Sequence, residues 1–180
     1  SGNLKQALDT PSNSYCTLNP LSTDSGVTLS NGNTESDYDA SVGNAKGTLG
    51  FSSGKWYWEV KIATASSDYP MLGIGSLDEA QMQKPTGGSY PGGFTNSYGG
   101  YGNGNVYANG SNTGSQSFSW ATNDIIGIAV DLDSATKTIK WYKNGSQIAS
   151  YNITTVAPFT VMDYNGAEGS VNLQYNFGNG

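Results

Sequence analysis

A chain of 180 residues with 25 glycines, 12 tyrosines and a net charge of −6 excludes several functional classes before any motif is considered. It holds no histidine and all 8 basic residues are lysines, so Ser-His and Cys-His catalysis, the usual zinc and copper ligand, and the bidentate arginine fork are missing. The acidic balance repels nucleic acid, and no apolar run reaches the length of a membrane-crossing helix.

Cys16 stands alone, so no intrachain disulfide is expected, in keeping with synthesis in a cytoplasm. Ser1-Gly2 reads as an expression scar, which would hide whatever preceded it. The length and the lack of a linker predict one domain over 1–180, cut from a longer protein and without a signal peptide.

Residues 1–22 predict an extended arm. Leu4, Ala7 and Leu8 allow one helical turn, Thr10-Pro11 stops it, and Tyr15 and Leu18 are the expected anchors. Val27-Thr28-Leu29 predicts a short strand closed by Asn31-Gly32. Glu35, Asp37 and Asp39 alternate and would share one strand face. Such a cluster fits a hydrolase acid/base pair, a calcium site of hard oxygens, or a solvated edge whose like charges discourage pairing. The solvated edge is favoured, because charge runs are usually exposed.

Strands are predicted over 48–51 and 55–62, turning at Ser52-Ser53-Gly54. Trp56, Trp58, Val60 and Ile62 alternate with Tyr57, Glu59 and Lys61, which assigns both tryptophans to the core rather than to a sugar-stacking platform. Residues 71–75 read as a small apolar strand and 76–82 as a short helical turn. From 85 to 112 the chain predicts a long loop and a poor strand pair, with 100–104 turning into Asn105-Val106-Tyr107-Ala108. Tyrosine among Ser, Gly and Asn is the composition of recognition loops, and loops of this length are usually functional or disordered. Inward aromatic packing is the alternative.

After Phe118 and Trp120, residues 123–151 are the most strongly patterned stretch. Ile126, Ile128, Val130 and Leu132 share one strand face, and Ile139 and Trp141 share another. Asp133-Ser134-Ala135-Thr136 turns between them, and Asn144-Gly145 predicts a type I′ hairpin into a third strand. Residues 157–162 form the next strand, ending in a polar turn at Asp163-Tyr164-Asn165-Gly166. Val171, Leu173, Tyr175 and Phe177 alternate in the closing strand. No helix of three turns is predicted, so the class is all-β, an antiparallel two-sheet β-sandwich.

Three pieces of this pattern, taken in order, resemble a SPRY domain over nearly the whole chain. Gly54-Lys55-Trp56-Tyr57-Trp58-Glu59-Val60 is similar to the family's early aromatic strand. Residues 123–133 with Trp141-Tyr142-Lys143-Asn144-Gly145 resemble its central hairpin, and Asn176-Phe177-Gly178 its closing triplet. The opening Asp9-Thr10-Pro11-Ser12-Asn13 and Thr17-Leu18-Asn19-Pro20-Leu21 is similar to the version found in virion proteins of tailed phages. From that version the Glu35/Asp37/Asp39 cluster departs.

The resemblance implies a bent sandwich of concanavalin-like jelly-roll shape, with no catalytic role and no cofactor, whose loops at one end bind partners. The loops map to 68–70, 90–101 and 163–165, and the candidate contacts are Tyr69, Pro70, Tyr90, Phe94, Tyr98, Tyr101, Asp163 and Tyr164. It further implies a binding module in a tail fibre or decoration protein, located in the virion after synthesis in the host cytoplasm. The partner would be a host-surface glycan or protein, or another virion protein, with a trimer if the parent is a fibre. Neither nucleic acid nor membrane insertion is expected. The alternatives are a structural domain stabilising the capsid or fibre, and a glycan-active hydrolase of lectin/glucanase shape. For the hydrolase, Glu35, Asp37 and Asp39 lack apolar interleaving, and Asp131 and Asp133 read better as the polar end of a hairpin strand.

Overall fold

The computed structural model describes residues 14–39, 42–65, 70–77, 89–155, 157–166 and 169–178. These described residues are all-β, with thirteen strands in two antiparallel sheets. Among the described residues the one helical element is a 3-10 turn at Pro20–Ser22, capped by the Asn19 side chain, which accepts from the Leu21 amide at 3.0 Å.

The predicted meander forms as read: β9 (Ile125–Asp131), β10 (Thr138–Lys143) and β11 (Ser146–Asn152) pair in sequence. Asn144 and Gly145 turn the second hairpin at φ of 49° and 85°, the left-handed pair that a type I′ turn demands. β4 (Lys55–Ala65) joins β9, and β13 (Val171–Asn176) joins β4, followed outward by β2 (Glu35–Asp37) and β1 (Thr28–Ser30). The resulting order is β1-β2-β13-β4-β9-β10-β11. The second sheet runs β3-β12-β5-β6-β7-β8. Its strands are β3 (Gly43–Lys46), β12 (Phe159–Asn165), β5 (Met71–Ser76), β6 (Ser97–Tyr101), β7 (Asn105–Ala108) and β8 (Ser111–Ser115).

Register explains the core. Trp58 on β4, Ile128 on β9 and Trp141 on β10 stand opposite one another in a single row, all buried. Leu72, Ile74, Tyr98, Val106 and Val161 face them from the other sheet within one buried cluster. Trp141 Nε1 ties the layers by donating to Leu72 O at 2.9 Å, and the buried Trp120, in the connection between β8 and β9, donates through Nε1 to Pro70 O at 3.1 Å. Buried N–H groups need such partners, so these rings locate the sheets as well as fill the space between them.

Several expectations are corrected here. Residues 48–51 do not form a strand; Phe51 makes an isolated bridge to Phe159. Trp56 is not a core residue: it stacks on Phe51 at 5.1 Å, remains 42% exposed, and borders a cleft of 220 Å³ with Tyr15 and Phe177. At the start of β4 the inward face meets that cleft instead of a packed layer, so strict alternation overestimates burial there. Of the polar turn expected at 163–166, Asp163, Tyr164 and Asn165 instead end β12, the first two paired with both β3 and β5 and Asn165 with β3. Within 90–112, three strands replace the single poor pair. Leu18 of the arm is buried and bridges Gly47, while Tyr15 is half-buried. The helical turns read at 4–8 and at 76–82 lie wholly or mostly outside the described residues.

Candidate functional site

The eight expected contact residues do not stay together. Tyr69 lies outside the described residues. Pro70 is buried, its carbonyl engaged by Trp120. Tyr98 points into the core, against the expectation of a loop contact, because register places it on the inner face of β6 opposite Ile74 and Ala108. Its hydroxyl accepts hydrogen bonds from Thr154 N at 3.1 Å, Thr155 N at 3.2 Å and Asn109 Nδ2 at 3.1 Å. Burial raises the Tyr98 pKa, but these donors outweigh it and bring the phenol below its ordinary value.

Asp163 is the second correction. It is fully buried in β12, where Oδ1 accepts from Tyr38 OH at 2.5 Å and Ala45 N at 2.8 Å. Oδ2 accepts from Ser36 OH at 3.0 Å and from Tyr175 OH. Desolvation raises its pKa despite these four donors. Ser36 and Tyr175 belong to the seven-stranded sheet and Ala45 and Asp163 to the other, so the carboxylate pins the layers together. A side chain so enclosed offers nothing to a partner.

The remaining residues gather on the outer face of the six-stranded sheet. Tyr164, Met71 and Tyr101 stand in one row across β12, β5 and β6, and Tyr107 on β7 lies opposite Gly99 in the next. Residues 90–94 fold down over the neighbouring glycines. A side chain at Gly99 would meet Pro91 O at 2.2 Å, and one at Gly75 would meet the Phe94 ring at 2.9 Å. Close approach, therefore, is why glycine recurs in Met-Leu-Gly-Ile-Gly and Ser-Tyr-Gly-Gly-Tyr. Ser97 Oγ locks the segment, donating to Phe94 O at 2.6 Å and accepting from Gly92 N at 3.0 Å.

Tyr90 is thereby carried to within 5.5 Å of the Tyr107 ring and 5.6 Å of the Tyr164 ring. With Tyr101, Met71 and Gly166 they line a solvent-open box of 210 Å³. Tyr107 was not among the sequence candidates. Its signal was the alternation Asn105-Val106-Tyr107-Ala108, which turns Tyr107 away from the buried Val106 and Ala108. Of the segments expected as end loops, 97–101 and 163–165 lie in β6 and β12, and 90–94 cover the outer face of the six-stranded sheet.

The carboxylate pairs have structural partners. Asn172 Nδ2 donates to Glu35 Oε1 at 2.8 Å and to Asp37 Oδ2 at 3.1 Å, while Asn31 donates to Glu35 Oε2. Asp39 is exposed beyond the end of β2. Among the described residues no three His, Cys, Asp or Glu side chains gather as metal ligands. Asp131 accepts from the Ser134 amide and hydroxyl and pairs with Lys55 at 3.0 Å, contacts that hold its carboxyl well below the usual range. Asp133 Oδ1 accepts from Gly54 N at 2.7 Å.

Two antiparallel sheets sharing a core, with aromatic side chains on an outer face, define a β-sandwich. The chain belongs to the SPRY domain family, whose model matches residues 55–179. Among solved structures it is similar to the SPRY domain of human HERC1, at 16% identity over 88% of this chain and 96% of that one, with a TM-score of 0.71. The TRIM65 PSpry domain gives 16% identity, 91% and 90% coverage and a TM-score of 0.69. The stonustoxin structure gives 17% identity and a TM-score of 0.70, covering 91% of this chain and 27% of that chain. At these identities the likeness is one of fold. Comparison with curated proteins by sequence gives no match. SPRY domains are generally protein-binding modules, typically without catalysis.

Proposed function

We propose that this chain is a non-catalytic protein-binding module whose partner contacts the tyrosine box on the outer face of the six-stranded sheet. The observation that carries the reading is the convergence of Tyr90, Tyr101, Tyr107 and Tyr164 on one solvent-open cleft, where the first three are half-buried and Tyr164 is buried beside them. Tyrosine combines a large apolar face with a hydroxyl and loses little rotamer freedom, which makes it a frequent anchor of interfaces. The rigid double-layer scaffold holds the four rings in place before binding, which lowers the ordering cost.

The setting we infer is a tailed-phage particle, with a host-surface protein as the partner; the N-terminal similarity to phage virion proteins is its support. A peptide-display selection against the whole chain, counter-selected with Tyr101→Ala/Tyr107→Ala, tests the surface. Peptides that bind the parent and lose at least about tenfold in affinity for the double variant support it. Peptides that bind both proteins equally refute this placement. For the setting, a parent gene lying outside any cluster of capsid and tail genes would refute the virion.

A further inference from the structure

The geometry of the box narrows the chemistry of what it can hold. The Tyr90 and Tyr107 rings meet at 84° and the Tyr90 and Tyr164 rings at 45°. The first is an edge-to-face contact and the second a tilted one, so the three rings pack around Tyr90 without closing into one parallel stack. An aromatic face carries the negative side of a quadrupole, so several faces around one space make it attractive to a cation without any carboxylate in the wall. Tyr90, Asp24 and Tyr101 raise the Tyr164 phenol beyond what burial alone does, while the Asp24 charge is shared with Lys46. Among the described residues no lysine lines the box. An anion would meet the ring faces and a protein of net charge −6. A cation is favoured by both, and the net charge also steers it in.

We propose that the box binds an alkylammonium group, and that the partner of this module supplies it as a lysine side chain, free or methylated. The volume of 210 Å³ leaves room for an ammonium head and the methylenes behind it, with the Met71 thioether as an additional soft contact. A fully methylated ammonium needs only faces in such a site, whereas a primary one also brings three N–H donors, for which the tyrosine hydroxyls and the solvent at the open side are the acceptors. The partner half of the inference rests on the protein-binding reading above; the chemistry of the box does not.

The test is a titration of the whole chain, at constant ionic strength, with tetramethylammonium chloride, n-butylammonium chloride and 3,3-dimethylbutan-1-ol, the last an uncharged compound of similar shape. Tyrosine resonances in NMR and heats of binding report the result. Both ammonium probes should saturate, and the alcohol should bind at least about tenfold more weakly. Tyr101→Leu and Tyr107→Leu should weaken ammonium binding by about 5- to 30-fold, while Tyr101→Phe and Tyr107→Phe, which keep the ring face, retain it. Thermal unfolding of each variant confirms that it is folded. Equal affinity for the alcohol and tetramethylammonium would overturn the inference, as would failure of both ammonium probes to saturate. Box-dependent peptides that keep full affinity when every lysine becomes norleucine would overturn the lysine while leaving the protein-binding reading intact. Saturation by ammonium with no box-dependent peptide recovered would support the cation site and refute the protein-binding reading.

Discussion

Replacing Asp163 with alanine removes one acceptor group from four buried donors: Ser36 OH, Tyr38 OH, Tyr175 OH and the Ala45 amide. All four donors belong to buried residues, so water does not readily replace the lost carboxylate. An orphaned buried donor costs roughly 1–3 kcal/mol. At the low end four of them cost about 4 kcal/mol, and relief of the buried charge's desolvation offsets part of anything beyond that. For a chain of this size about 4 kcal/mol corresponds to a fall in Tm of roughly 8–16 °C. Asp163→Asn should cost less, about 1–2 kcal/mol, because Oδ1 still serves Tyr38 and Ala45 while the hydroxyls of Ser36 and Tyr175 rotate to accept from the new amide. The assay is urea unfolding followed by tryptophan fluorescence.

The pH dependence carries a definite sign. Burial raises the native pKa of Asp163 above its ordinary 3.8, so its stabilising contribution is fully present below 3.8 and is lost as pH rises through the native value. The parent should therefore gain stability relative to Asp163→Asn on acidification through that window. An Asp163→Ala variant within about 1 kcal/mol of the parent would refute the account of the network. An asparagine variant no more stable than the alanine one would refute the division of labour between the two oxygens.

Burial and Asp163 push the Tyr38 and Tyr175 phenols well above 10.0, so their contribution is complete below pH 10.0 and is lost as pH rises beyond it. Alkaline unfolding monitored by circular dichroism should be steeper for the parent than for Tyr38→Phe/Tyr175→Phe. Gly99→Ala puts a methyl 2.2 Å from Pro91 O, and the covering segment must shift. The variant should lose about 1–3 kcal/mol by thermal melting, with altered Tyr90 and Tyr107 resonances. Ile128→Ala, fully buried between Trp58 and Trp141, should cost about 2–5 kcal/mol in the same measurement.

Much of this protein is legible in its residues alone. The meander follows from apolar alternation at 126–132 and 139–141 and from Asn144-Gly145, whose left-handed backbone is local chemistry. The missing histidine and arginine limit the chemistry available before any fold is known. The family follows from the order of three short motifs. Other features were hidden because their causes are distant in the chain. Asp163 resembles a turn residue until positions 36, 38, 45 and 175 arrive around it, and burial of a carboxylate is decided by donors that no local window contains. Tyr98 and Tyr101 belong to one strand, yet pleating sends one to the core and the other to the outer face. Glycines 75 and 99 announce flexibility in sequence; in the sheet they are the bare floor on which residues 91–94 rest. The tyrosine box exists only once register aligns β5, β6, β7 and β12 and that segment delivers Tyr90. Composition determined that this chain would have tyrosines to spare. Strand pairing decided which of them meet solvent, because the pleat assigns each side chain to a face and only the tertiary register says what lies across from it.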